Sequence, residues 1–283
     1  EIRKYTTAPV SLRAHNLEHR IRKMMAAVEH STLRRYYFNN LAGRLKRLEI
    51  SATGRFDAIV TISRPDYDWF SAVAQGKPVF LCETGAGETG YLPEPAEVPA
   101  RVGFIGSMNW QPNTGGLNWF IESVWPSVLQ KIPGATLRIA GRHSDKARAL
   151  LSGGKNISFE GEPDDARSFI ASNNVMIAPL FAGSGLRIKI IDALSTGRPV
   201  VATPVAAEGI EGGTDSGLAV AADAESFCIA ILRYLEDPDL RTAAGKEAVR
   251  LVRSRYDNQT LTTGLSEFYA RLARPGPSDK TQH

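Results

Sequence analysis

The residues with the clearest chemical potential lie in one short segment, Gly183-Ser-Gly-Leu-Arg-Ile-Lys189. Gly183 and Gly185 allow the backbone to approach a ligand closely, and the helix predicted to follow points its first N–H groups at the same place. Arg187 and Lys189 stand at the start of that helix, where the helix dipole disfavours cations unless an anion lies between them. The segment therefore predicts an anion site that fits a diphosphate.

Asp192 lies one turn after Lys189 on the same predicted helix. A carboxylate at this place can accept hydrogen bonds from both hydroxyls of a ribose, as acidic residues do in other dinucleotide crevices. An alternative stays open, in which the glycines form an ordinary turn, the cations are exposed and Asp192 points to water. Only the first interpretation gives the unfavourably placed cations a reason.

His15 is the second candidate, because it ends a strand predicted over 9–14 and cleft residues of doubly wound domains lie at strand ends. A lone histidine is more often structural, so position alone leaves its role open. His15-Asn-Leu-Glu-His19 also fits the H-x-x-E-H pattern of inverted zinc peptidases, in which two histidines one turn apart bind zinc. That motif belongs inside a long helix, whereas a strand-like run leads into His15. A zinc peptidase is therefore the less favoured alternative.

Asp66 and Asp68 have the same spacing as the two acids of a metal-binding D-x-D motif. It follows Ser63-Arg-Pro65, so it most simply opens a helix with acids in its first turn. We therefore predict no metal site there. Cys82 and Cys228 are far apart in sequence, so cysteine supplies neither a disulfide framework nor a four-ligand zinc site, and this usage fits a reducing cytoplasm.

The chain around these residues alternates between predicted strands and helices, which is typical of α/β sheets. Three strands precede a Gly- and Pro-rich segment at 84–99, and six follow it, enough for a complete doubly wound domain. The predicted strands are 9–14, 58–62 and 78–82, then 102–105, 135–140, 157–159, 175–178, 199–202 and 218–220. The predicted helices are 16–29, 32–50 and 65–74, then 114–131, 145–152, 164–173, 188–196, 223–236, 239–253 and 258–272.

This pattern predicts two Rossmann-like domains that share the chain unequally. The predicted division is 1–90 for the second half of an N-terminal domain, 91–100 for a linker, 101–255 for a complete C-terminal domain, 256–274 for a helix that returns to the N-terminal domain and 275–283 for a polar tail. Three strands are about half of a doubly wound domain, so we expect the first half of the N-terminal domain to be missing from this chain. We expect a second copy or a separate N-terminal piece to cover the remnant.

The composition describes a soluble globular protein, with 283 residues, 43% of them hydrophobic and 23% charged. No apolar run approaches the ~18 residues that a membrane span needs, and the start does not resemble a secretion signal.

The net charge of +4 is uneven, with +7 in residues 1–50 and −3 in the rest. The basic part suits an anionic membrane, a phosphorylated ligand or nucleic acid, and a solvated helix face explains it equally well. No P-loop, serine-hydrolase elbow or NAD fingerprint is found.

The segment from Pro179 to Thr203 resembles the donor-binding motif of the group 1 (family 4) retaining glycosyltransferases with the GT-B fold, in particular bacterial sugar transferases that carry Gly-x-Gly-x-Arg-x-Lys. Other segments resemble the same family in register, over about residues 9–272. Residues 104–113 are similar to the first strand and loop of its C-terminal domain, 139–142 to the end of the second strand, 159–164 to the loop near the nucleobase, and 12–19 to a strand followed by a histidine that faces the cleft.

The resemblance implies two Rossmann-like domains facing a cleft, and transfer of a sugar from a nucleotide diphosphate sugar with retention at the anomeric carbon. It implies no metal or other cofactor, no nucleic acid partner, and a lipid-linked or envelope glycan as acceptor, at the cytoplasmic face of the membrane. A nucleotide-binding partner subunit that has lost transfer is the alternative. The implied catalytic residues are His15, Arg187 and Lys189, and the implied donor contacts are Gly106, Ser107, Asn109, Arg142, Gly183, Ser184, Gly185, Leu186 and Asp192.

Two departures from the family pattern affect what is expected of this site. The family has two glutamates eight positions apart, whereas this chain has Ser184 at the first position and the shorter Asp192 at the second. The family also takes an Arg and a Lys from the loop after the first strand of the C-terminal domain, where this chain offers Ser107, Asn109 and Gln111. We expect the cations of the glycine-rich segment to replace them, because phosphate accepts charge-assisted hydrogen bonds from either residue type.

Overall fold

The computed structural model describes residues 2–93, 100–144 and 154–273. Its first sheet is parallel, with the order β1-β2-β3, and Leu12 lies opposite Ile59, which in turn lies opposite Val79. The strands are β1 (Ser11–Ala14), β2 (Ala58–Thr61) and β3 (Val79–Leu81), and the helices between them are α1 (Glu18–Val28), α2 (Thr32–Thr53) and α3 (Arg64–Val73). All three strands lie where the alternation of apolar runs predicted them.

The second sheet has six parallel strands in the order β6-β5-β4-β7-β8-β9. The chain runs outward from β4 to one edge and then returns to β7 on its other side. This reversal opens a crevice at the carboxyl ends of the central strands, where ligands of doubly wound sheets bind. The strands are β4 (Arg101–Ile105), β5 (Thr136–Ala140), β6 (Ile157–Phe159), β7 (Val175–Ala178), β8 (Val200–Ala202) and β9 (Leu218–Val220).

The helices of the second sheet differ from prediction in two places. A short helix over residues 204–207, capped by Thr203, was not predicted. The single helix expected at 114–131 is two helices that meet at Val124, because Pro126 lacks the N–H that would continue the first helix. The helix expected at 145–152, most of the linker and the tail lie outside the described residues. The helices are α4 (Gln111–Ser123), α5 (Trp125–Lys131), α6 (Ala166–Ala171), α7 (Ile188–Ser195), α8 (Pro204–Ala207), α9 (Ala224–Glu236) and α10 (Pro238–Arg255).

Apolar residues cover the second sheet on both faces, as a parallel sheet flanked by helices requires. One core contains Phe104, Leu137 and Phe227, and the other contains Ile190 and Val252. The last helix, α11 (Asn258–Ala273), packs instead on the first sheet, where the rings of Phe80 and Phe268 stack with centroids 4.8 Å apart. The chain therefore ends its described part on the sheet with which it began.

Among the helices of the described ranges, none is both long and apolar enough to cross a membrane.

Candidate functional site

Glycines shape the crevice at the carboxyl edge of the second sheet. Gly106 directly follows β4 and Gly141 directly follows β5, and a Cβ on Gly141 would lie 2.2 Å from the carbonyl oxygen of Gly106. On the other side, a Cβ on Gly116 of α4 would lie 1.8 Å from the carbonyl oxygen of Pro179, just after β7. No side chain fits at these distances. The loops after β4, β5 and β7 therefore meet closely at the edge where the sequence predicts a ligand.

The glycine-rich loop folds around the guanidinium of Arg187. Gly183 and Gly185 have positive φ angles of 154° and 77°, and a Cβ on Gly183 would lie 2.3 Å from Nη2 of Arg187. Arg187 is only 6% exposed, and its Nη1 donates to the carbonyl oxygens of Ser184 and, at 2.8 Å, Gly185. Its Nε and Nη2 are buried without a partner among the described residues. Buried N–H groups without acceptors cost stability, so this guanidinium is suited to an incoming anion.

Lys189 reaches the loop after β4. Its Nζ donates to Oδ1 of Asn113 at 2.9 Å and lies 4.2 Å from the centroid of the Phe104 ring. A Cβ on Gly106 would lie 2.9 Å from the same Nζ. Burial, and then the charge of Arg187, lowers the pKa of Lys189 to about 7. A phosphate beside this amine would favour its charged form.

Asp192 is half-buried on α7, one turn after Lys189. Burial raises the pKa of its carboxyl to about 6. The group is therefore ionised in most molecules at neutral pH and can accept hydrogen bonds from ligand hydroxyls there.

A contact that the sequence did not predict joins the two sheets at Ser184. Its hydroxyl donates to Oδ1 of Asp66 at 2.8 Å and accepts from the N–H of Leu17 at 3.1 Å. Asp66 lies in the first turn of α3, capped by Ser63, as its sequence context indicated. Its side chain is nevertheless fully buried, Oδ2 has no partner among the described residues, and burial raises its pKa above the usual range for a carboxyl. No local pattern signals a contact between residues 118 positions apart.

His15 lies beside the glycine-rich loop, because a Cβ on Gly185 would lie 2.6 Å from the carbonyl oxygen of His15. His15 is exposed and lies before α1, which begins at Glu18. His19 is inside α1, pairs through Nδ1 with Glu49 and packs on Trp69 with ring centroids 5.0 Å apart. The two histidines therefore do not share one helix as the zinc-peptidase motif requires. Within the described ranges, no three His, Cys, Asp or Glu residues are grouped to hold a metal ion.

The remaining predicted donor contacts differ in their surroundings. Leu186 is buried, the carbonyl oxygen of Ser107 accepts from Nδ2 of Asn113 at 2.7 Å, and Asn109 is exposed. Arg142 has a side chain that is 72% exposed and paired with Glu162, with 2.9 Å between Nε and Oε1. Its side chain thus lies on the surface.

The family model for glycosyl transferases group 1 matches residues 99–237, the region that contains the crevice. These residues form a group 1 glycosyltransferase domain. The whole described chain is also similar in structure to TarM of S. aureus, with a TM-score of 0.68 at 14% identity, over 92% of this chain and 50% of that one. At that identity the likeness establishes the fold, and it confirms the predicted α/β class and GT-B architecture.

Two sequence relatives agree with the family assignment. An uncharacterized 44.6 kDa protein in the cps region of Klebsiella pneumoniae is 23% identical over 280 residues, which is 90% of this chain and 66% of that protein. The phosphatidyl-myo-inositol mannosyltransferase of Mycobacterium leprae is 31% identical over 170 residues, 57% of this chain and 44% of that protein. This chain thus spans less than two thirds of the length of each.

Proposed function

We propose that this group 1 domain binds the donor in a transfer of a sugar from a nucleotide diphosphate sugar to an acceptor, with retention of the anomeric configuration. The observation that carries the proposal is the pair of cations in the crevice. Arg187 is buried with two nitrogens free to donate, and Lys189 lies beside the loop after β4 with a depressed pKa. A diphosphate supplies acceptors for the two unpartnered nitrogens of Arg187 and a negative charge that favours the charged form of Lys189.

In the proposed reaction the bond between the anomeric carbon and the diphosphate oxygen breaks, and a bond to the acceptor oxygen forms on the same face of the sugar. The acceptor hydroxyl loses its proton to the departing diphosphate. Negative charge grows on that leaving group, and Arg187, Lys189 and the backbone N–H groups of 183–186 stabilise it, which lowers the barrier. Asp192 accepts from the ribose hydroxyls, and His15 positions the sugar from the opposite side. These groups supply the charge stabilisation without a metal ion.

We further propose a lipid-linked or envelope glycan as the acceptor, used at the cytoplasmic face of the membrane. The mannosyltransferase relative from Mycobacterium leprae is named for a lipid, phosphatidyl-myo-inositol, and the Klebsiella relative for its cps region. Helix α2 supports peripheral contact with anionic lipid, because large apolar side chains stand exposed among basic ones. The exposed apolar residues are Leu33, Tyr36, Tyr37 and Leu48, and the basic residues among them are Arg34, Arg35, Arg44, Lys46 and Arg47.

Calorimetric titration of the chain with UDP and with GDP tests the donor site directly. We expect one nucleotide to bind per chain, with affinity that does not change when EDTA is added. Absence of binding for both nucleotides would contradict the proposal. Nucleotide binding without sugar transfer, measured on protein that carries both domains of the GT-B fold, would instead favour the non-catalytic partner subunit.

A further inference from the structure

The glycine-rich loop rests on residues of the first sheet and its helices. The hydroxyl of Ser184 accepts from the N–H of Leu17 at 3.1 Å and donates to Oδ1 of Asp66 at 2.8 Å. One residue further on, a Cβ on Gly185 would lie 2.6 Å from the carbonyl oxygen of His15. The family model that matches the crevice begins only at residue 99. Residues outside the matched region therefore hold the loop from one side.

The first turn of α3 places Asp66 against the second domain. A Cβ on Gly209, just after α8, would lie 3.3 Å from Cδ of Pro65, the residue before Asp66. The N–H of Asp66 donates to the hydroxyl of Ser63 at 3.3 Å, which fixes this turn. The side chain of Asp66 is fully buried. Solvent therefore does not compete with Ser184 for its carboxylate.

Ser184 connects Asp66 to Arg187. Its hydroxyl donates to Asp66, and its carbonyl oxygen accepts from Nη1 of Arg187. The carbonyl oxygen of Gly185 accepts from the same nitrogen at 2.8 Å. Nε and Nη2 of Arg187 have no partner among the described residues. The loop thus engages one nitrogen of the guanidinium and leaves the other two for a ligand.

The charge of Asp66 also acts on Arg187. Burial lowers the pKa of the guanidinium, and the negative charges of Glu208 and Asp66 oppose that shift. Glu208 is paired with Arg20 of α1, whereas Oδ2 of Asp66 has no partner within the described ranges. A buried carboxylate with an unfilled acceptor costs stability. An apolar side chain would serve packing better here, so the carboxylate indicates a role at the loop.

We propose that Asp66 is a positioning residue for donor binding, which acts through Ser184 to hold the glycine-rich loop so that two nitrogens of Arg187 stay free for the diphosphate. Asp66 itself does not contact the donor. The diphosphate site of the second sheet is then completed by a helix of the first. This inference rests on the proposed function, since it concerns how the diphosphate site of that reaction is held.

The first experiment removes the carboxylate and measures the affinity for UDP by calorimetric titration. We expect Asp66→Ala to bind UDP about fivefold more weakly, the effect of losing a typical hydrogen bond. Asp66→Asn keeps an oxygen that can accept from Ser184, so its affinity should stay within about twofold of the unaltered chain. Rescue by the amide separates the positioning of the loop from the charge of Asp66.

Asp68→Ala is the matched control on the same helix. Asp68 lies two positions further along α3, is exposed and pairs with Arg64, with 2.9 Å between Oδ1 and Nε. Its loss should leave the affinity for UDP unchanged, because an exposed ion pair on the surface contributes little. Unchanged or tighter binding in Asp66→Ala, or equal losses in Asp66→Ala and Asp66→Asn, overturns the proposal.

The second experiment tests the path through Ser184. Ser184→Ala should weaken UDP at least as much as Asp66→Ala, because its hydroxyl also accepts from Leu17. The double variant should bind UDP like Ser184→Ala alone, since Asp66 then has no hydroxyl through which to act. Independent effects on stability or packing would instead add in the double variant, and additive losses overturn the proposal.

Ser184→Ala also keeps the inference testable if Asp66→Ala does not fold, because it breaks the same hydrogen bond from the other side. Unchanged UDP affinity in Ser184→Ala then overturns the proposal by itself. Absence of UDP binding to the unaltered chain would refute the proposed function. Binding that is equal in the unaltered chain, Asp66→Ala and Ser184→Ala would refute only the role of Asp66.

Discussion

Two arginines predicted to contact the donor, Arg187 and Arg142, differ sharply in their surroundings although both follow strands of the same sheet. Arg187 is 6% exposed and has two nitrogens without partners, whereas the Arg142 side chain is 72% exposed and already paired with Glu162. A desolvated cation gains strongly from an anion, because its own hydrogen-bonding capacity is unfilled. An exposed cation with its own carboxylate gains little. Burial therefore distinguishes the two arginines where their positions along the chain do not.

The largest expected effect tests this difference directly. Arg187→Ala should weaken the binding of UDP by about 1.5–3 kcal/mol, the range for hydrogen bonds to charged groups. Arg142→Ala should change the affinity by less than about 0.5 kcal/mol, since the substitution removes only an exposed ion pair. Calorimetric titration of both variants measures the two values. Similar losses would mean that the donor reaches the surface arginine as well, and no loss in Arg187→Ala would remove the diphosphate role of that residue.

An intermediate effect concerns pH and Lys189. Its pKa is lowered to about 7 in the free protein because burial disfavours the charged amine, and a bound diphosphate favours that charge. Binding above pH 7 must therefore take up a proton, so affinity for a nucleotide sugar should fall by up to about tenfold per pH unit between pH 7 and the higher pKa of the complex. Titrations in buffers of different ionisation enthalpy measure the proton uptake.

Lys189→Met is the control for this pH effect. It should bind the nucleotide sugar more weakly at pH 7 and lose the proton uptake above that pH. A nucleotide sugar is used because its diphosphate has no group that titrates near neutral pH, unlike the terminal phosphate of UDP. Unchanged proton uptake in Lys189→Met would assign the titration to another group.

The strands and the glycine-rich loop could be predicted because their signals are local. Apolar runs, glycines and cations lie within a few residues of one another, and the residues from Gly183 to Lys189 alone indicated the candidate anion site. The burial of Lys189 depends instead on Asn113 and Phe104, which lie far away in sequence. The surface position of Arg142 depends on Glu162, 20 residues further along. Such pairings arise only when separate strands come together, and one sequence does not specify them.

The contact between Asp66 and Ser184 is another pairing of residues far apart in sequence, and it bears on the departure from the family pattern at Ser184. The sequence identified Ser184 as the residue at a position where the family has a glutamate, and it gave no reason for the change. In the structure a carboxylate is present beside that position, and it comes from Asp66 of α3, the helix between β2 and β3 of the first sheet. The acidic group near the loop is thus supplied across the boundary between the two sheets.

The smallest expected effect concerns Asp192, which shares the desolvation of Lys189 but carries the opposite charge. Asp192→Asn keeps the shape and removes the charged acceptor, so UDP should lose about 1 kcal/mol more affinity than its 2′,3′-dideoxy analogue. The pKa of Asp192 is raised to about 6, so its carboxylate is protonated as pH falls through that value and the preference for the ribose form should shrink between pH 7 and pH 5. The Asn variant should show no such change, because its amide does not titrate. Equal losses for both nucleotides would mean that Asp192 does not contact the ribose. Arg187 and Lys189 would then be the only charged residues of this segment that contribute to donor binding.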